Sequence, residues 1–108
     1  MELESRHSKL ETAVIAFLTL ELRIEGAHSL KDKRAVLRSL KDRLRSKYNV
    51  AIAELDASNA WQRATIGIVS ISTSRDYLDG LMQNVEREAG HIAASTGAEI
   101  TDTFLDYV

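Results

Sequence analysis

The 108-residue chain contains no cysteine, which excludes a disulfide framework, a zinc ribbon, an iron–sulfur site and a thiol nucleophile. Long apolar runs are also absent: the longest, residues 13–18, is far shorter than the roughly 18 residues that span a bilayer. The first twelve residues, MELESRHSKLET, are polar and lack the apolar stretch of a signal peptide. We therefore expect a cytoplasmic protein without a membrane span.

The chain has enough apolar residues to form the core of one domain. Its mass is 12.0 kDa and 44% of its residues are hydrophobic, which is typical of a single small globular domain. We predict a polar N-terminal extension over residues 1–12, followed by one folded domain over residues 13–108.

The formal net charge of −2 conceals an uneven distribution of charge along the chain. Residues 31–47 contain eight basic and two acidic side chains, whereas residues 76–108 contain seven acidic side chains and a single basic one, Arg87. The first segment is expected to attract anions and the second to repel them.

Hydrophobic periodicity predicts six secondary-structure elements. Alternating apolar residues indicate strands over residues 13–24, 48–56, 61–72 and 98–108, with a turn at 57–60 inside a hairpin. Helical spacing indicates a first helix over residues 30–47 and a second from about 75 to 94, with Ser29 and Ser74 as their N-caps. Thr96 and Gly97 end the second helix before the last strand. The order βαββαβ predicts an α+β ferredoxin-like fold, in which a four-stranded antiparallel sheet carries both helices on one face.

Two segments, LELRIEGAHSLKDKRAVLRSLKDRLRSKYNVAIAELD and WQRATIGIVSIS, resemble the YlxP-like family of small bacterial proteins, a domain of unknown function. The resemblance covers about residues 13–108 and is most specific at GAHSLKDKR and WQRA. It implies a ferredoxin-like fold and a bacterial cytoplasmic protein. Genes of this family often lie beside genes for translation initiation and ribosome maturation, which implies an RNA-related role. No catalytic residues are established for the family, and the extension at residues 1–12 usually has no counterpart in it.

The first predicted helix carries a row of basic residues beside its apolar face. Five cations follow one another at intervals of three or four residues, so they lie on one side of the helix: Lys31, Arg34, Arg38, Lys41 and Arg45. Free amides at residues 27–30, together with Lys33 and the neighbouring His28, would add an anion-docking corner at the helix start. We predict a non-enzymatic RNA- or ribosome-associated protein that contacts phosphate with this helix.

Each of these residues also has a structural interpretation. The basic row is also found on solvated helix faces, and Ser29 is interpreted as a cap rather than a nucleophile. Trp61 and Arg63 are added to the predicted RNA-binding residues, because Trp61 is able to stack on a base and Arg63 to reach a phosphate. Alternatively, Trp61 anchors the hairpin and Arg63 pairs with Glu54 or Asp56 across the strands.

The open face of the predicted sheet suggests a second class of function. Apolar and neutral side chains there would pair two copies of the chain, and the residues expected to do so are Phe17, Thr19, Val69 and Leu105. A homodimeric interaction module that binds an acidic protein, without any role in nucleic-acid binding, is therefore the alternative function.

The sequence does not indicate an enzyme. Glu54 and Asp56 are spaced like a magnesium pair, but no further carboxylate, histidine or phosphate loop accompanies them, and we interpret them as surface charge. His28, Ser29 and Asp32 are neighbours at a helix start and are not arranged as a catalytic triad. We predict no cofactor and no metal site.

Overall fold

The computed structural model describes residues 13–56 and 60–108, so the predicted N-terminal extension and most of the predicted turn at 57–60 lie outside the described residues. Six elements follow one another in the predicted order: β1 (Val14–Arg23), α1 (Leu30–Lys47), β2 (Ala51–Glu54), β3 (Arg63–Ser72), α2 (Arg75–Ser95) and β4 (Glu99–Tyr107). The strands form one antiparallel sheet in the order β2-β3-β1-β4. The predicted α+β ferredoxin-like fold is confirmed.

The core lies between the two helices and one face of the sheet. Alternation along β1 and the residue after it buries Leu18, Leu20, Leu22 and Ile24, as the sequence pattern predicts. The helices and the neighbouring strand β3 bury further large side chains against them: Leu37, Leu40, Leu44, Ile66, Ile68, Leu78, Met82 and Val85. Each such side chain stabilises the folded state by about 1.5–3 kcal/mol relative to an exposed position.

Both predicted helix caps are present. The Ser29 hydroxyl accepts a hydrogen bond from the Asp32 amide, and the Ser74 hydroxyl accepts one from the Tyr77 amide, each at 3.1 Å. Past the end of α2, Gly97 adopts a φ of 80°, a left-handed conformation that favours glycine. These contacts define where both helices begin and where α2 ends.

The second strand is shorter than the sequence pattern predicts. Tyr48 still belongs to the end of α1, because its amide donates to the Leu44 carbonyl at 2.9 Å. Strand pairing starts only at Ala51 and ends at Glu54. No helix in the described part of the chain combines the length and the apolar character needed to cross a membrane.

The strand register separates the helix-covered face of the sheet from the open face. Phe17 lies opposite Val69 and Thr19 lies opposite Gly67, and all four are on the open face as predicted for Phe17, Thr19 and Val69. The same prediction is wrong for Leu105, which pairs with the buried Leu18 on the helix-covered side.

Leu105 lies on the helix-covered face because β4 contains a β-bulge. Leu22 pairs with Ile100 but Glu21 pairs with Asp102, so Thr101 is an extra residue that shifts the alternation by one position. Phe104 therefore occupies the open face.

Candidate nucleic-acid interface

Two backbone amides at the start of α1 donate hydrogen bonds to acceptors within the chain. The Asp32 carboxylate accepts from the His28 amide at 2.9 Å, and the Ala27 amide donates to the Ile24 carbonyl at 3.1 Å. Because these two amides are engaged, the prediction that residues 27–30 offer free amides to an anion is wrong for Ala27 and His28. The Asp32 carboxylate also places a negative charge where the helix dipole favours one. Among the described residues the Ser29 and Leu30 amides have no hydrogen-bond acceptor, so these two amides and the side-chain cations are the groups left to attract an anion at this end.

Three cations of the predicted row extend into solvent without a carboxylate partner among the described residues. Lys31, Arg34 and Arg38 are exposed, and none of them forms an ion pair with any residue that the structure describes. They follow one another at intervals of three and four residues, so they share one side of the helix. We call these three residues the basic surface of α1.

The two remaining members of the predicted row are paired within the chain. The Lys41 ammonium lies 2.7 Å from the Glu54 carboxylate at the end of β2, and the Arg45 guanidinium lies 3.2 Å from the Asp42 carboxylate. The row of five predicted from the sequence is thus divided into three unpaired cations and two neutralised ones. Sequence spacing alone did not reveal that Glu54 faces α1.

Lys33 does not belong to the exposed surface, and its prediction as a phosphate contact is wrong. Only 6% of the residue is exposed, and its ammonium donates to the Ala60 carbonyl at 2.9 Å. The sequence contains a signal for this position: Lys33 precedes Leu37 by four residues and Leu40 by seven, so it lies on the buried side of α1. A lysine is ordinarily expected at an exposed position, and the prediction followed the charge of the residue instead of its spacing.

Trp61 lies at the same end of the domain as the first turn of α1. The bond from Lys33 fixes Ala60, and the Gln62 side-chain amide donates to the Ala27 carbonyl at 3.4 Å. Between them, the Trp61 side chain is half exposed, at 50%. A half-exposed indole offers a surface on which a base is able to stack.

Arg63 lies on the open face at the start of β3, directly opposite Arg23. The predicted pairing of Arg63 with Glu54 is wrong, because Glu54 lies on the helix-covered face and binds Lys41. Arg23 is held by Glu99 at 2.8 Å, and this hydrogen bond raises the pKa of its guanidinium. Two arginines side by side repel each other, and Glu99 offsets the charge of only one of them.

A shallow cleft of about 590 Å³ lies beside this arginine pair. Its polar lining includes Glu21, Thr65 and Thr101, and Thr65 donates to the Glu21 carboxylate at 3.4 Å. Acidic and basic groups are mixed in it, so the cleft does not present a uniform charge to a ligand. In the described ranges, no three histidine, aspartate or glutamate side chains are close enough to hold a metal ion.

Comparison with known proteins identifies the family of this chain. A family model described as "Protein of unknown function (DUF503)" matches residues 15–104. The chain belongs to this family. Uncharacterized protein YlxP of Bacillus subtilis (strain 168) is 40% identical over 72 residues, which cover 67% of this chain and 78% of that protein. The match confirms the predicted membership of the YlxP-like family.

Solved structures with similar folds are distant in sequence. A dimeric ferredoxin-like protein of unknown function from Thermobifida fusca superposes with a TM-score of 0.51 at 16% identity, over 91% of this chain and 92% of that one. The YXEP protein of Bacillus subtilis, a dinuclear metal-binding peptidase of the M20 family, superposes with a TM-score of 0.58 at 15% identity. That match covers 88% of this chain but only 25% of the peptidase, so the chain spans a quarter of its length. Both similarities concern the fold.

Proposed function

We propose that the protein is a non-enzymatic RNA-binding or ribosome-associated protein that contacts phosphates through the basic surface of α1. The observation that carries this proposal is the lack of a carboxylate partner for Lys31, Arg34 and Arg38 among the described residues. Cations that are three or four residues apart on a helix repel one another in the free protein. A bound polyanion relieves this repulsion.

The size of the basic surface limits how much RNA it contacts. From Lys31 to Arg38 the helix rises about 10 Å, which accommodates two or three phosphates of a strand. Three cations that each neutralise one phosphate of a single strand give a slope of log K against log salt of about −2. We therefore expect weak sequence selectivity and moderate dependence on salt, because phosphate contacts carry no base information.

Trp61 favours RNA over other polyanions. Its exposed indole offers a stacking surface near the start of α1, and stacking on one base contributes about 1–3 kcal/mol. An acidic protein presents carboxylates to the same cations but has no base to stack. Substitution of Trp61 therefore distinguishes RNA from the alternative acidic protein partner.

The test compares two double variants that remove the same charge from the same helix. Arg34→Ala with Arg38→Ala removes two cations without carboxylate partners, whereas Lys41→Ala with Arg45→Ala removes two paired ones. By counterion release, loss of two phosphate contacts weakens binding about 25-fold at 0.1 M salt and reduces the slope to about −0.7. The Lys41 and Arg45 variant should bind much as the wild type does.

Binding is measured with a fluorescent single-stranded RNA and by co-sedimentation with ribosomal subunits at graded ionic strength. Poly-glutamate serves as the acidic polypeptide probe, and Trp61→Ala is expected to weaken binding of RNA only. Equal losses in both double variants, or none in either, would contradict the assignment to the basic surface. Binding of poly-glutamate but not of RNA would identify the protein partner instead.

A further inference from the structure

The open face of the sheet carries a continuous apolar surface on the side opposite the helices. Its large apolar side chains come from all four strands or directly follow them: Ile15, Phe17, Leu55, Val69, Ile71 and Phe104. Ile71 is 59% exposed, Phe104 53% and Leu55 50%. We call these six residues the apolar surface of the open face. Contiguous apolar surface of this kind on a soluble domain marks an interaction site.

Two large side chains at the centre of this surface lie over the same glycine, Gly67. A Cβ built on Gly67 would lie 2.9 Å from both Leu55 Cδ1 and Phe17 Cε1, so these two side chains close over the glycine. Gly67 is buried beneath them although it lies on the open face. The space above Gly67 is therefore filled by the chain's own apolar side chains.

The area of the open face reaches the minimum for a specific dimer. The strands β1, β2, β3 and β4 have ten, four, ten and nine residues, so at a rise of about 3.3 Å and a strand spacing of about 4.8 Å the face covers roughly 500 Å² per copy. Two such faces in contact bury about 1,000 Å², which a specific interface needs at least. A dimer has the further advantage that both partners supply the same apolar composition.

The carboxylates on the open face favour one orientation of a second copy. Asp102 and Asp106 lie on the β4 side, whereas the side chains of β2 on this face are Ala51 and Ala53. A two-fold axis parallel to the strands places β4 of one copy over β2 of the other, so the carboxylates meet neutral residues. An axis perpendicular to the strands would stack β4 on β4 and bring the carboxylates together, which is unfavourable.

We propose that the protein forms a homodimer in which the two open faces pack against each other about a two-fold axis parallel to the strands. This axis places β1 of each copy over β3 of the other, with Phe17 near Val69 of the second copy. At the end of the face, Arg23 and Arg63 of opposing copies approach, and Glu99 neutralises the first of them. The dimer does not depend on RNA binding, because α1 lies on the other side of the sheet.

Sedimentation equilibrium of the full chain tests the dimer at micromolar concentration. The wild type should sediment at about 24 kDa, twice the chain mass of 12.0 kDa. Val69→Asp should raise the dissociation constant at least about tenfold, because it buries a charge at the centre of the interface. Tyr77→Asp is the matched control, since Tyr77 is 56% exposed on α2, away from the open face.

Chemical cross-linking supplies a second measurement that does not require a disruptive substitution. Because the chain has no cysteine, Val69→Cys and Tyr77→Cys each introduce a single thiol. A short bismaleimide should link two copies of the Val69→Cys protein and should not link the Tyr77→Cys protein. A monomeric wild type, or a dimer that Val69→Asp leaves intact, would overturn the proposal. So would the absence of cross-links at residue 69 if the aspartate variant fails to fold.

Discussion

Substitution of Lys33 by methionine tests the structural role of this lysine. Methionine keeps the apolar stem and a similar helix propensity, so the main loss is the hydrogen bond from the ammonium to the Ala60 carbonyl. A hydrogen bond with one charged partner contributes about 1.5–3 kcal/mol. Since Ala60 is exposed and its carbonyl regains water, we expect the lower end, about 1.5 kcal/mol. For a domain of this size, that loss lowers Tm by roughly 5–10 °C.

Thermal unfolding followed by circular dichroism measures the effect, with Lys31→Met as the matched control. Lys31 lies two residues away on the same helix, is exposed and has no ion-pair partner among the described residues, so its change should alter stability by less than about 0.5 kcal/mol. In RNA binding the result should be reversed: Lys31→Met should weaken the affinity for RNA, and Lys33→Met should leave it unchanged. If Lys33→Met keeps the wild-type Tm but weakens RNA binding, Lys33 is a phosphate contact and its assignment here is refuted.

Two further predictions concern the ends of the helices. Ser29→Ala removes the N-cap of α1 and should destabilise the protein by about 1 kcal/mol in urea unfolding, whereas Ser39→Ala, inside the same helix, should not. At the other end of α1, the hydrogen bond from Lys47 to Glu88, at 2.7 Å, lowers the pKa of Glu88. A lowered carboxyl pKa stabilises the folded state above the unfolded pKa of about 4.3, and this contribution disappears as pH falls through the folded value. Glu88→Gln should therefore lower Tm at pH 7, and this difference should disappear as pH falls below the lowered pKa of Glu88. Glu86→Gln, used as the control, should leave Tm unchanged at every pH. A constant difference between Glu88→Gln and the wild type across pH would contradict the ion pair.

The order of the elements and the composition of the core were predictable because both depend on local periodicity. Apolar residues alternate along β1 and recur every three or four positions along α1 and α2, and these are the residues that the fold buries. The caps at Ser29 and Ser74 were predictable for a similar reason, since each hydroxyl bonds an amide three residues away in the chain. Information of this kind lies within a few residues of the position that it describes.

The errors arise where the outcome depends on contacts between distant segments. The bulge at Thr101 reverses the faces of β4, and nothing in the alternation of residues 99–107 indicates the extra residue. Glu54 neutralises Lys41 only because α1 packs beside β2, thirteen residues later in the chain. The basic row therefore had five members in the sequence and has three unpaired members in the folded protein. This difference reduces the expected salt slope from about −3.5 to about −2 for single-stranded RNA.

The two proposed surfaces are compatible because they lie on opposite sides of one sheet. In the proposed dimer, the two sheets are about 10 Å apart and each carries α1 a further 10 Å or so outward, so the basic surfaces lie about 30 Å apart and face away from each other. One short strand of RNA is unable to contact both. Each chain is therefore expected to bind its own RNA, and Val69→Asp should leave the affinity for a short RNA unchanged while it separates the copies. Loss of RNA binding in that variant, with the fold intact, would place the RNA contact on the open face instead of on α1.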